Sequence, residues 1–267
     1  MTLLILAITF VITAVPVDLF AWGLETHVKI GTSILENVSF ALIKQYPTYF
    51  LLGNIFPDFF TLLKDLSRFK RNLDTHSWGV VSKLFKSASK DADISFAHGY
   101  AAHLAADVIA HNYLIPQNFF LISKNKYISH LFMEYAESCS NEHKYASVLD
   151  TLLNFADSGC EFFLSVEGIN KEYFQKQLNY LKLSIKYQHL LKLKYFAHLF
   201  EKVVDPSFKN RCKFFHKKAL EVATNTVEYG FSKYTAFDPT GKEAMKQAKG
   251  FRKLFLASNY TKQFKKS

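Results

Sequence analysis

The stretch HGYAAHLAADVIAHNYLIP, residues 98–116, decides the fold. Between its few polar residues it is almost wholly alanine, leucine, valine and isoleucine, and it closes on a proline that no helix interior accommodates. The periodicity predicts a helix over 95–113 that stops before Pro116. Four residues advance a helix by about 400°, so His103, Asp107 and His111, at i, i+4 and i+8, are each displaced by about 40° and share one face. An apolar helix with one ionisable stripe is a helix whose stripe must be compensated. A buried carboxylate or imidazole without partners is strongly destabilising.

The same pattern extends in both directions. In YISHLFMEYAE, within a helix expected over 127–139, His130 and Glu134 repeat the i, i+4 spacing among Ile128, Leu131, Phe132 and Met133. Apolar residues from Val28 to Ile43 predict a helix over 26–46 that ends ahead of Pro47, and further helices are expected over 79–88, 146–165, 171–187, 190–203 and 210–231. Tyr49 to Leu63, which mixes Gly53 and Pro57 with aromatics, reads as a loop. In 267 residues there are only 10 Gly and 6 Pro but 27 Phe and 14 Tyr, a balance that disfavours a turn-rich sandwich or a low-complexity chain. With 49% apolar and 21% charged residues, no internal repeat and no Gly/Ser/Pro-rich linker, the expectation is one all-α, multi-helix domain. Cys139, Cys160 and Cys212 form no CxxC pair and exclude a disulfide framework, though not a single bridge. P-loop, GxSxG, GxGxxG and EF-hand patterns do not occur, so triphosphate and serine-hydrolase chemistry have no support.

Residues 1–21, MTLLILAITFVITAVPVDLFA, carry an apolar run of signal-peptide length, broken by Pro16 and Asp18. No basic residue precedes the run, and Leu19 stands where a small residue is favoured, yet a cut after Ala21 is the expectation, leaving 22–267 as the exported domain. Net charge is +10, and residues 242–267 contribute eight cations against Glu243 alone. That tail, interleaved with Phe251, Leu254, Phe255, Tyr260 and Phe264, either meets an anionic membrane or nucleic acid or is a solvated helix with one apolar face on the body.

The five ionisable groups of the two stripes either hydrogen-bond one another or hold a divalent cation. Imidazole nitrogen and carboxylate oxygen suit zinc. Upstream stand WGLETH (22–27), NIFPD ending at Asp58, and DTHSWG containing His76. Taken in order, these motifs resemble the zinc-dependent phospholipase C family, which is itself similar to fungal single-strand nucleases and to the catalytic domain of glycosylphosphatidylinositol-specific phospholipase D. The resemblance spans about Trp22 to Glu134 and places nine metal-binding positions in the family's order; no motif is recognised in the helical remainder, 141–267. The short Trp-to-His spacing of WGLETH is closer to the nucleases, and H-x3-D-x3-H closer to the phospholipase D branch.

The resemblance implies a zinc cluster between helices holding about two to three ions. Asp58, His76 and His103 would bind one zinc, with Asp107 bridging to a second that His27 and the amine and carbonyl of Trp22 complete; His111, His130 and Glu134 would hold a third. Only signal cleavage frees the Trp22 amine. The implied activity is hydrolysis of phospholipids at a membrane surface by metal-activated water, of C or D type, with Asp58 as candidate base. The alternatives are a nuclease using the same cluster on nucleic acid and a non-catalytic, membrane-associated metal-binding protein. Phe56, Phe59 and Phe60 beside Asp58 read either as a rest for lipid or as core packing. Glu25 reads as facing a cationic head group or as an exposed first-turn residue, and His98, off the stripe, as an ordinary surface or core histidine.

Overall fold

Small side chains let the central helix be central. The computed structural model describes residues 23–63, 74–117, 143–190 and 208–251. Among these the chain is all-α and forms a single domain without strands. In order they are α1 (Leu24–Asn37), α2 (Ala41–Gln45), α3 (Pro47–Ile55), a 3₁₀ segment (Phe56–Leu63), α4 (Trp78–Ser87), α5 (Asp91–Ile109), a π-helical turn (Ala110–Leu114), α6 (His143–Gly159), α7 (Glu161–Glu167), α8 (Lys171–Leu190), α9 (Phe208–Tyr229), a 3₁₀ turn (Ser232–Tyr234), and α10 over 242–251. Helix α5 is buried around most of its circumference, with α3, α9 and α4 packed on it. A helix apolar on every side belongs in a core.

The closest approach is between α3 and α5. A Cβ built on Gly99 would stand 1.9 Å from the Phe50 carbonyl oxygen, and one on Gly53 would stand 2.1 Å from that of Phe96. Each glycine therefore admits the other helix's backbone. The contact also brings the Asn54 amide to the Gly99 carbonyl at 3.2 Å, and so fixes the residues that flank Asp58 against α5. Gly99→Ala is expected to destabilise the protein by about 3 kcal/mol or more, since overpacking costs this much when backbone rather than a flexible side chain must yield. Urea unfolding with an unchanged midpoint would contradict this packing.

Several elements differ from the sequence expectation. The helix expected over 26–46 is broken at Val38, which adopts an extended conformation yet buries its side chain, so the apolar period runs across a break that no Gly or Pro marks. Pro47 begins α3 at its first turn, where its missing N–H is no loss. The expected loop from Tyr49 to Leu63 is helical throughout, because Gly53 is a contact surface and Pro57 lies in the first turn of the 3₁₀ segment. Helix α5 starts four residues early. Asp91 and Asp93 favour its N-terminus, and the Asp93 carboxylate accepts from the Lys90 N–H at 3.3 Å. The helix expected over 146–165 divides at Cys160. Helices expected over 127–139 and 190–203 lie outside the described residues, apart from Leu190 at the end of α8.

Phenylalanine builds the core beneath the site. Phe56 lies 4.7 Å from Phe163, 5.2 Å from Phe96 and 5.5 Å from Phe174, ring centre to ring centre, which joins the 3₁₀ segment to α5, α7 and α8. Cys160 and Cys212 are both buried. His98 stands edge-on between Phe40 and Phe85, and burial pushes its pKa down to about 4. Folded chains thus bind fewer protons here than unfolded ones between about pH 6.5 and 4. Stability is expected to fall across that window by up to about 3 kcal/mol as the pH drops. His98→Phe should flatten this part of the profile, read from melting temperature against pH.

Candidate metal centre

Three segments meet beside α5. His27 comes from the first turn of α1, Asp58 from the 3₁₀ segment, His76 from the turn before α4, and His103 and Asp107 from successive turns of α5. All five are buried, the most exposed being His76 at 8%. His76 Nε2 lies 3.2 Å from Asp58 Oδ1 and 3.3 Å from Asp107 Oδ2, while His103 Nε2 lies 3.1 Å from Asp107 Oδ2 and 3.7 Å from Asp58 Oδ1. The His27 ring stacks on His103 at 3.8 Å, with its Nε2 3.4 Å from Asp107 Oδ1.

Backbone and hydroxyl partners aim these rings. His103 Nδ1 donates to the Asn54 carbonyl at 2.8 Å, since a carbonyl can only accept, and its Nε2 is thereby turned to the cluster. Thr75 Oγ1 is 3.2 Å from His76 Nδ1, and the Thr75 carbonyl is in turn held by the Tyr100 hydroxyl at 2.6 Å. Sequence reasoning assigned no role to Asn54 or Thr75. Nothing in a sequence marks Asn54, which contributes its backbone carbonyl, and a threonine beside a histidine is by itself no signal that its hydroxyl orients the ring.

The electrostatics describe a concentrated negative site. Burial opposes a charge on His76, but hydrogen bonds and the charges of Asp107 and Asp58 outweigh it and push its pKa up to about 9. Burial, and then the neighbouring His103, hold His27 below its usual value against the pull of Asp107. Burial would raise Asp107, yet His103, His111 and His27 carry it well below the usual carboxylate range.

Two sets of donors lie with all their ligand atoms within 4.8 Å of one another: His27, Asp58 and His103, and His76, His103 and Asp107. His27 Nε2 and Asp107 Oδ1 face each other without hydrogen-bond geometry, and both are buried. Lone pairs of three imidazoles and two carboxylates converging in a dry site are mutually repulsive unless a cation sits among them. The donor types and count fit zinc. The second set agrees with the partition inferred from the motifs, in which Asp107 bridges from the ion of His76 and His103, whereas the first groups His27 with Asp58, which that partition puts on different ions.

His111 departs from the straight row. It falls in the π-helical turn, belongs to neither donor set, and directs Nδ1 at the Pro239 carbonyl. Trp22, His130 and Glu134 lie outside the described residues. Glu25 is buried at 7% exposure, so it is not the exposed first-turn residue that one reading of the sequence expected. Phe56, Phe59 and Phe60 are all core residues, none above 3% exposed, and present no resting surface for lipid. In the tail, Ala248 is buried and Met245 packs on the core, whereas Phe251 is 66% exposed.

The family model for zinc dependent phospholipase C matches residues 26–180, running past Glu134 through α6 and α7 into α8. No curated protein and no solved structure matches the chain.

Proposed function

Because the chain belongs to the zinc-dependent phospholipase C family, we propose that it is an exported zinc-dependent phosphodiesterase that hydrolyses phospholipids. The observation that carries this reading is the convergence of His27, Asp58, His76, His103 and Asp107 in one dry cluster of zinc-type donors. We assign these five as ligands, with Trp22, His111, His130 and Glu134 completing a set for about two to three ions. Zinc held there supplies Lewis acidity that lowers the pKa of water and offsets charge on phosphoryl oxygens.

The chain's own residues do the rest. Asp58 takes the proton from the attacking water, Asp107 and the imidazoles fix the polar floor, and the phenylalanines below exclude bulk water. His103 is kept in register by Asn54 and His76 by Thr75. Export follows from the apolar run before Ala21, and among the described residues no helix is long and apolar enough to cross a membrane. N-terminal sequencing of the mature protein should begin at Trp22; an intact Met1 would remove the amine assigned to the cluster.

With the three phenylalanines in the core, preference for lipid over nucleic acid rests on the family and not on an aromatic surface. The test sets mixed phospholipid vesicles beside single-stranded DNA and RNA for the zinc-loaded protein. Faster phospholipid cleavage is expected. Faster cleavage of nucleic acid would replace the phospholipase reading with a nuclease using the same cluster.

A further inference from the structure

Residues 237–241, beyond the part of the chain that the family model covers, reach back to the metal centre. The Phe237 carbonyl accepts from Trp78 Nε1 at 2.9 Å, two residues after His76. The Asp238 carbonyl accepts from Asn112 Nδ2 at 2.8 Å, and the Pro239 carbonyl accepts from His111 Nδ1. The Asp238 carboxylate folds the turn on itself by accepting from the Thr240 and Lys242 backbone N–H groups at 2.9 and 3.2 Å. Gly241 closes the segment at φ +59°, and a Cβ there would stand 2.3 Å from the His111 carbonyl oxygen. A side chain is excluded by both conformation and space.

We propose that residues 237–241 are a positioning strap for His111, which fix its tautomer and aim its Nε2 at a zinc ion. A carbonyl has no proton to give, so His111 Nδ1 must be the protonated nitrogen and Nε2 the one left to bind metal. The strap joins the start of α4, two residues after His76, to the π-helical turn that carries His111. The inference rests on the reading of His111 as a ligand.

The experiment uses the zinc-loaded full chain, with zinc content followed through dialysis against graded chelator and the His111 ring nitrogens followed by NMR. Gly241→Ala should release one class of zinc about 10–100-fold more readily, leaving the rest at wild-type affinity, which is the usual scale for losing an outer partner of a ligand. Trp78→Phe keeps the ring that stacks on Phe231 but deletes the donor to Phe237; it should weaken the same zinc by about tenfold and shift the His111 Nδ1–H signal. Wild-type zinc retention in folded Gly241→Ala would overturn the proposal. Should that variant fail to fold, Trp78→Phe decides, and unchanged retention with an unshifted signal overturns it. His111→Ala separates the two levels. If it keeps all zinc, the ligand reading fails and the strap with it; if it loses one ion while both strap variants keep theirs, the strap alone fails.

Discussion

Asp58→Asn is expected to lower phosphodiester hydrolysis by about two orders of magnitude or more with the fold intact, the scale of losing a general base. The carboxylate is buried at 1% exposure, its Oδ1 3.2 Å from His76 Nε2, on a 3₁₀ segment anchored by Phe56, Phe59 and Phe60. An amide has the same shape and keeps a carbonyl oxygen, so packing around the site is preserved. It cannot take a proton at physiological pH, and it removes one negative charge from beside His76. The measurements are turnover on a soluble short-chain phospholipid, zinc content and melting temperature. Low turnover with zinc retained apart from the ion that Asp58 touches places Asp58 in the chemistry. Turnover equal to wild type makes it a spectator, whatever the zinc content.

How much of this was legible in the sequence differs between the centre and its setting. His103 and Asp107 could be read from a four-residue spacing on an apolar helix, because helical geometry alone puts them on one face. His27, Asp58 and His76 had no local period. Each stands on a different element, and only the order of the motifs suggested that they belong together. The third member of the stripe, His111, was placed on the same face by arithmetic that assumes an unbroken α-helix; the π-helical turn at Ala110–Leu114 alters that arithmetic, and no residue type announces it. The expected loop at 49–63 failed for a related reason. Glycine and proline usually punctuate, but Gly53 is there so that α5 can approach and Pro57 sits where a helix tolerates it. The contribution of Pro239 was illegible, since it acts through a backbone oxygen 128 positions from His111.

Removing zinc is expected to make stability depend on alkaline pH in a way the loaded protein does not show. In the metal-free cluster a proton on His76 is the charge set between Asp58 and Asp107, with a pKa of about 9 against about 6.5 for an unfolded histidine. A histidine raised on folding stabilises fully below about pH 6.5 and loses that contribution as the pH rises through about 9. The loss is on the order of 3 kcal/mol for a shift of this size, and it leaves two buried carboxylates uncompensated. Zinc takes the proton's place, so its stabilising effect should grow over the same interval, and binding near neutral pH should release a proton. Melting temperatures of chelator-treated and reloaded protein at about pH 6.5 and 9.5 test this, together with calorimetric titrations in buffers of different ionisation enthalpy. His103→Ala is the control, because His103 belongs to both donor sets and its loss should abolish most of the zinc response. Equal melting curves with and without metal at both pH values would mean that the cluster is held by its own hydrogen bonds and that zinc is not among its partners.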